Sequence, residues 1–245
     1  MVDRLFSNRR LAALYDAFYS RRPDFALYLP LVLSAQSVLD VGCGTGALLR
    51  TARKAGHGGR LCGLDPADGM LEQARKRLDI EWVLGDLASV KWERDFDLVV
   101  MTGHAFQVLV DDLELHEALQ AIRSALTDEG RFAFDTRNPL ARAWEAWTPE
   151  NAVQIVDETG AWVRMAHQVD EPVDRDIVSF TTTYTSPRWR RPELSRSRLR
   201  FTDSGALVPL LGNAGFLIVE QYGDWDRSRL TETSPEIITV ARRRR

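Results

Sequence analysis

The chain has 245 residues, 44% of them hydrophobic and 27% charged, with a formal net charge of −3. That length accommodates one large domain, or one domain carrying a smaller subdomain, with a full core, and the charge gives no global attraction to nucleic acid or anionic membranes. No stretch approaches the roughly 20 apolar residues of a bilayer span, and charges in the opening MVDRLFSNRRLAAL stand where a secretory leader needs its apolar region, so a cytoplasmic protein is expected.

Residues 9–19 repeat apolar side chains at helical spacing until Pro23 stops them, and a second helix is expected over 24–33. Residues 37–41 (SVLDV) read as a buried strand that runs into GCGTG, followed by a helix over 47–55. Further strands are expected at 60–64, 80–84, 96–101 and 131–135, with helices at 68–78 and 113–126, the latter closed by a glycine stop at 128–130. Cys43 and Cys62 lie in or beside these apolar runs and read as buried free thiols. The alternation of strand and helix predicts an α/β fold with a doubly wound, mainly parallel sheet.

The texture changes after Pro149. Residues 152–201 alternate with period two and are broken by Pro and Asp turn signals, which predicts an inserted antiparallel sheet. A helix at 204–214 closed by Gly215 and strands at 216–222 and 237–241 complete the pattern, and the terminal run 242–245 reads as disordered. The expected organisation is a helical cap (1–36), a ligand-binding core (37–150), an inserted β lid (151–201) and the last helix and hairpin of the core (202–245).

The densest signal is VLDVGCGTG at 38–46. Glycines at a strand-to-helix turn remove Cβ atoms, so backbone approaches a ligand closely and N–H groups point at it. The spacing of Gly42, Gly44 and Gly46 departs from the dinucleotide fingerprint G-x-G-x-x-G. Asp40, two residues earlier, would repel a pyrophosphate but suits a ligand carrying an ammonium and a sulfonium. Asp65 ends the second strand, where a carboxylate can accept from both hydroxyls of a ribose, and Asp86 follows the third, within reach of an adenine amino group. Met70 and Leu87 would face the adenine ring. Each acid alone is more often a strand-end cap or solvated turn; three at the ends of successive strands favour a ligand site.

Together these residues resemble the class I methyltransferases that use S-adenosylmethionine (SAM). VLDVGCGTG is similar to the family's first motif, Leu64-Asp65 to its ribose acid, Gly85-Asp86 to its adenine acid and Phe96-Asp97-Leu98-Val99 to its fourth-strand motif. The resemblance covers about residues 37–136 and the last two strands. It implies a Rossmann-like seven-stranded sheet, SAM as cofactor bound by Asp40, Gly42, Gly44, Gly46, Asp65, Met70, Asp86, Leu87 and Met101, and transfer to an oxygen or nitrogen of a small molecule. The N-terminal helix and the sheet inserted after strand five look like members acting on small metabolites, sugars or amines.

On the acceptor side, topology places 101–107, 136–139 and 223–234 at the carboxyl ends of strands. His104 is either a base or a polar loop cap; Tyr15 and Tyr19 either face the sulfonium or pack their helix; Arg137, Asp224 and Trp225 are candidate acceptor contacts. No His or Cys spacing suggests a metal site. The six arginines of 188–200 read as a solvated edge strand, with an RNA methyltransferase or RNA-binding module as the rival and an NAD(P)-dependent oxidoreductase as another. The expected partners are a small-molecule acceptor, no nucleic acid and no membrane, in a monomer or homodimer.

Overall fold

The computed structural model describes residues 3–244. Helices α1 (Arg4–Ser7), α2 (Arg9–Phe18) and α3 (Phe25–Ser34) precede β1 (Ser37–Val41), α4 (Ala47–Lys54), β2 (Arg60–Asp65), α5 (Asp68–Ala74), β3 (Glu81–Leu84), β4 (Phe96–Met101), α6 (Asp112–Ala125) and β5 (Leu126–Arg137). Four strands follow, β6 (Val153–Val156), β7 (Trp162–Val169), β8 (Ile177–Thr185) and β9 (Glu193–Arg200), then α7 (Ser204–Asn213), β10 (Phe216–Tyr222) and β11 (Glu236–Arg243).

The main sheet runs β10-β11-β5-β4-β1-β2-β3. Neighbours among β1 to β5 are parallel, and β11 is antiparallel to both β5 and β10. The order reverses between β1 and β4, so their carboxyl ends splay apart and open a crevice, where ligands of such sheets lie. Apolar side chains cover both faces. One layer joins Leu39, Val99, Phe132 and Phe134 to α6 and α7, and the other joins Val38, Leu98 and Ala133 to α3 and α4. The second sheet is the antiparallel meander β6-β7-β8-β9. The N-terminal helices fill the space beneath it: Leu5 and Leu11 pack with Met165 and Tyr184, and the Leu5 N–H donates to Ser195 Oγ at 2.8 Å.

Three local expectations fail for identifiable reasons. α5 stops at Ala74, and Gly130 caps nothing because β5 begins at Leu126, straight after α6. Of the run read as disordered, Arg242 pairs with Arg131 in the sheet and Arg243 with Phe216. Charge at the end of a chain carries no signal about strand pairing when the partners are set by the sheet and not by neighbouring sequence. Arg245 is outside the described residues. Cys43 and Cys62 are free and buried.

Candidate functional site

The three glycines after β1 share a left-handed backbone but serve different neighbours. Gly42, Gly44 and Gly46 have φ of +71, +56 and +73°. A Cβ on Gly42 would stand 2.9 Å from Cβ of Ala105, and one on Gly46 would lie inside the Trp82 indole. At Gly44 the space is open, with no atom within 4 Å. Gly46 was expected to face a ligand; its bare side instead admits Trp82, whose indole also covers Gly63 and Cys43. The cradle a ligand can enter is therefore at Gly44.

Asp40 is 1% exposed, and its Oδ1 has no hydrogen-bond partner. Burial pushes its pKa up to about 8; Arg22 opposes this, whereas Asp65, Asp24 and Asp135 push further. Asp65 closes the other side of the turn, with Oδ2 accepting the Gly44 N–H at 2.7 Å and Oδ1 the Ala67 N–H at 2.8 Å. Burial raises its pKa against these two donors. The region thus concentrates carboxylates faster than cations, a field that favours a positively charged ligand.

The remaining residues of the expected cofactor set divide. Asp86 is exposed at the end of β3, and its Oδ1 caps the Ala88 and Ser89 N–H groups at 3.2 and 2.9 Å. Leu87 is half-buried against the core. The Met70 side chain is buried with Ala12 and Ala67 under Phe6 and Tyr15, and Met101 is buried among the core residues of β4 and β5. Both methionines serve packing, because α2 and the β5 aromatics cover the faces that sequence spacing left open.

α2 is fastened over the turn. Asp16 accepts from Thr45 Oγ1 and pairs with Arg50 at 2.7 Å, which carries Tyr15 and Tyr19 to the crevice with their rings 4.6 Å apart. Burial raises both phenols. Just beyond, Arg22 pairs bidentately with the buried Asp24.

The segment after β4 makes a second polar cluster. His104 has φ of +66°, and its N–H donates to Asp135 Oδ2 at 2.7 Å while the Tyr28 hydroxyl donates to Oδ1 at 2.7 Å. His104 Nε2 lies 3.0 Å from Glu236 Oε2, and Nδ1 has no hydrogen-bond partner among the described residues. Burial, aided by Arg137, lowers the His104 pKa to about 3, and burial raises that of Glu236 to about 8. Two ions so enclosed would each lose hydration, so burial disfavours charge on either partner. Trp225 covers this cluster, 6.5 Å from His104 and 6.2 Å from Tyr28 by ring centroid, and not against the inserted sheet. Asp224 caps its neighbour's N–H through Oδ1 at 2.7 Å.

Arg137, at the end of β5, bridges the core and the inserted sheet. Its Nη1 donates to Gln107 Oε1 at 2.9 Å, Gln107 Nε2 donates to the Arg200 carbonyl, and the guanidinium lies 5.1 Å over Trp147. The 188–200 run ends in the edge strand β9, where Arg196 and Arg198 are exposed and Arg200 pairs with Asp112 and Asp176.

Sequence reasoning missed Arg22, Asp24, Tyr28, Gln107, Asp135 and Glu236. Asp135 alone left a signal, an acid ending the apolar run RFAF. Glu236 opens a strand that returns from another part of the chain, so no local spacing announces it. Among the described residues no group of His, Cys, Asp or Glu could hold a metal ion, and no helix is long and apolar enough to cross a membrane.

Residues 38–130 match the family described as a methyltransferase domain. The chain is 31% identical over 144 residues to a malonyl-[acyl-carrier protein] O-methyltransferase of Anoxybacillus flavithermus, a match covering 56% of this chain and 54% of that protein. It thus spans about half the length of that curated relative. Two solved structures share the fold over nearly the whole chain. The sugar N-methyltransferase KedS8 of Streptoalloteichus is 22% identical with a TM-score of 0.71, covering 94% of this chain and 93% of its own. The SAM-bound amino pentose methyltransferase CalS10 of Micromonospora echinaspora is 21% identical with a TM-score of 0.66, covering 92% and 91%. Sequence motif, sheet order and glycine turn agree: residues 38–130 are a methyltransferase domain, and the chain has the fold of solved SAM-dependent methyltransferases.

Proposed function

We propose that the chain transfers the methyl group of SAM to an oxygen or nitrogen of a small-molecule acceptor held between the crevice and the inserted sheet. The observation carrying this reading is the buried, unpartnered Oδ1 of Asp40 beside the open cradle at Gly44. An uncharged nucleoside with a cationic end fits that pair, whereas the pyrophosphate of NAD(P) would add negative charge beside the acids Asp40 and Asp65. The names of KedS8 and CalS10 support a small acceptor, and in this chain β7 to β9 close over α1 and α2 from the rim where β5 ends.

SAM supplies an electrophilic methyl carbon on a sulfonium. Asp65 would accept from the ribose hydroxyls while holding the Gly44 N–H, Asp40 would face the cationic end, and Tyr15 and Tyr19 would offer aromatic faces to it. The carboxylate of SAM would meet Arg22. His104 would take the acceptor's proton at Nδ1 in the tautomer whose Nε2–H donates to Glu236, with the loop held by Asp135, while Trp225 excludes water. Alignment of acceptor and methyl carbon supplies much of the acceleration in such a displacement.

Asp65→Ala is the direct test of the donor half. It removes an acceptor for the ligand and frees the Gly44 N–H, so SAM affinity should fall by about 1–3 kcal/mol, roughly 5- to 150-fold. Calorimetry finding the wild-type affinity in a folded variant would take Asp65 out of the site.

Asp40 gives a proton signature. Its raised pKa means that the unliganded folded chain keeps a proton which the unfolded chain, at 3.8, has lost. Stability from this group is therefore lost as pH rises from about 4 to 8. A cation docked against Asp40 restores the carboxylate and releases the proton. SAM binding at pH 7 should release up to one proton, read from calorimetry in buffers of different ionisation enthalpy, and Asp40→Asn should abolish the release. Buffer-independent heats in the wild type would contradict the pairing.

A further inference from the structure

Arg137 is the cation that the proposed reaction leaves unused. It makes no ion pair among the described residues, although it stands between two sheets with Trp147 beneath it and Gln107 fixing one end of its fork. Of its five N–H donors, those beyond the Gln107 bond have no partner among the described residues. Neither nearby acid forms an ion pair with it: Asp135 accepts from Tyr28 and from the His104 N–H, and Glu236 lies against His104 Nε2. Burial accordingly lowers the Arg137 pKa against the pull of Glu236, Asp135, Tyr19 and Tyr15. A guanidinium keeps its charge even so, and with the residue only half-buried its remaining donors are free for a ligand.

We infer that Arg137 is an oxyanion subsite, so that the acceptor carries a carboxylate or phosphate group which takes paired hydrogen bonds from this guanidinium beside the atom that is methylated. The inference rests on the methyl-transfer reading and deepens it by naming the acceptor class. A planar fork matches both oxyanions, and an aromatic floor restricts the direction from which they approach. Arg22 differs, because Asp24 already occupies its fork from the side. The arrangement predicts an acidic acceptor whose hydroxyl or amine faces His104 while its anion is anchored one strand away.

The test uses the intact protein and S-adenosylhomocysteine (SAH), the product of methyl loss. Calorimetric titration of SAH comes first and stands alone: failure to bind would sink the proposed function without touching Arg137. The SAH-loaded protein is then titrated with malonate and, separately, with inorganic phosphate, following tryptophan fluorescence as a report on Trp147. At least one anion should bind the wild type, and malonate alone or phosphate alone would identify the source. Arg137→Met keeps the stem on Trp147 and should weaken that binding roughly tenfold or more, with SAH affinity unchanged. Arg137→Gln, which retains a polar tip for Gln107, should lose the anion likewise and guards against a folding defect in the first variant. Neither anion binding the wild type, or equal binding to the variants, would overturn the inference. A parallel fall in SAH affinity would also overturn it, since Arg137 would then serve the donor's own carboxylate.

Discussion

Gly44→Val is expected to abolish SAM binding in a protein that still folds. The side chain enters space that holds no atom within 4 Å, so no packed neighbour is displaced. The backbone cost is real but limited. A left-handed conformation costs a residue with a Cβ about 1–2 kcal/mol, and a β-branched one more, against a total stability of roughly 5–15 kcal/mol. Gly44→Ala separates the two effects, because it carries the backbone strain with a smaller obstruction. The expected order of SAM affinity is wild type, then Ala, then no measurable binding for Val, with cooperative melting in all three. Normal binding by the Val variant would move the ligand away from the turn.

His104→Asn should lower kcat by about 10²- to 10⁴-fold once an acceptor is in hand, the range of a lost general base. Asparagine is chosen because it tolerates the +66° backbone and keeps the N–H bond to Asp135. SAM affinity should not change, and the loss should fall on kcat more than on KM. Glu236→Gln keeps the imidazole but replaces the group that holds it, so a smaller loss, about tenfold, is expected with an altered pH profile. A His104→Asn enzyme within twofold of wild-type kcat would leave His104 as a loop cap, and alignment alone would carry the rate.

Much of the core could be read from the chain because its strands are nearly continuous apolar runs broken by glycine. β1 and β4 lie where their residues put them, at Ser37–Val41 and Phe96–Met101. The proposed donor half of the site follows the same logic, since Asp40 and Asp65 sit within a few residues of strand ends and the topology fixes where strand ends point. Sequence could not separate the three glycines: Gly46 is required by Trp82, 36 positions on, and only packing tells that from a ligand. The acceptor half was less legible still. Glu236 reaches His104 because β11 returns between β5 and β10, and Arg137 meets Trp147 because the inserted sheet folds back over the rim. Such long-range partners have no local pattern to betray them. Met70 and Met101, expected at the ligand, pack under α2 and into the core.

The central claim is that the crevice between β1 and β4 is built for a cationic methyl donor and not for a dinucleotide. Parallel calorimetric titrations of the purified protein with SAM, SAH and NADP test it most directly. Saturable one-to-one binding of SAM and SAH, with no heat from NADP, is the predicted result. Binding of NADP with none of SAM would contradict the account at its root.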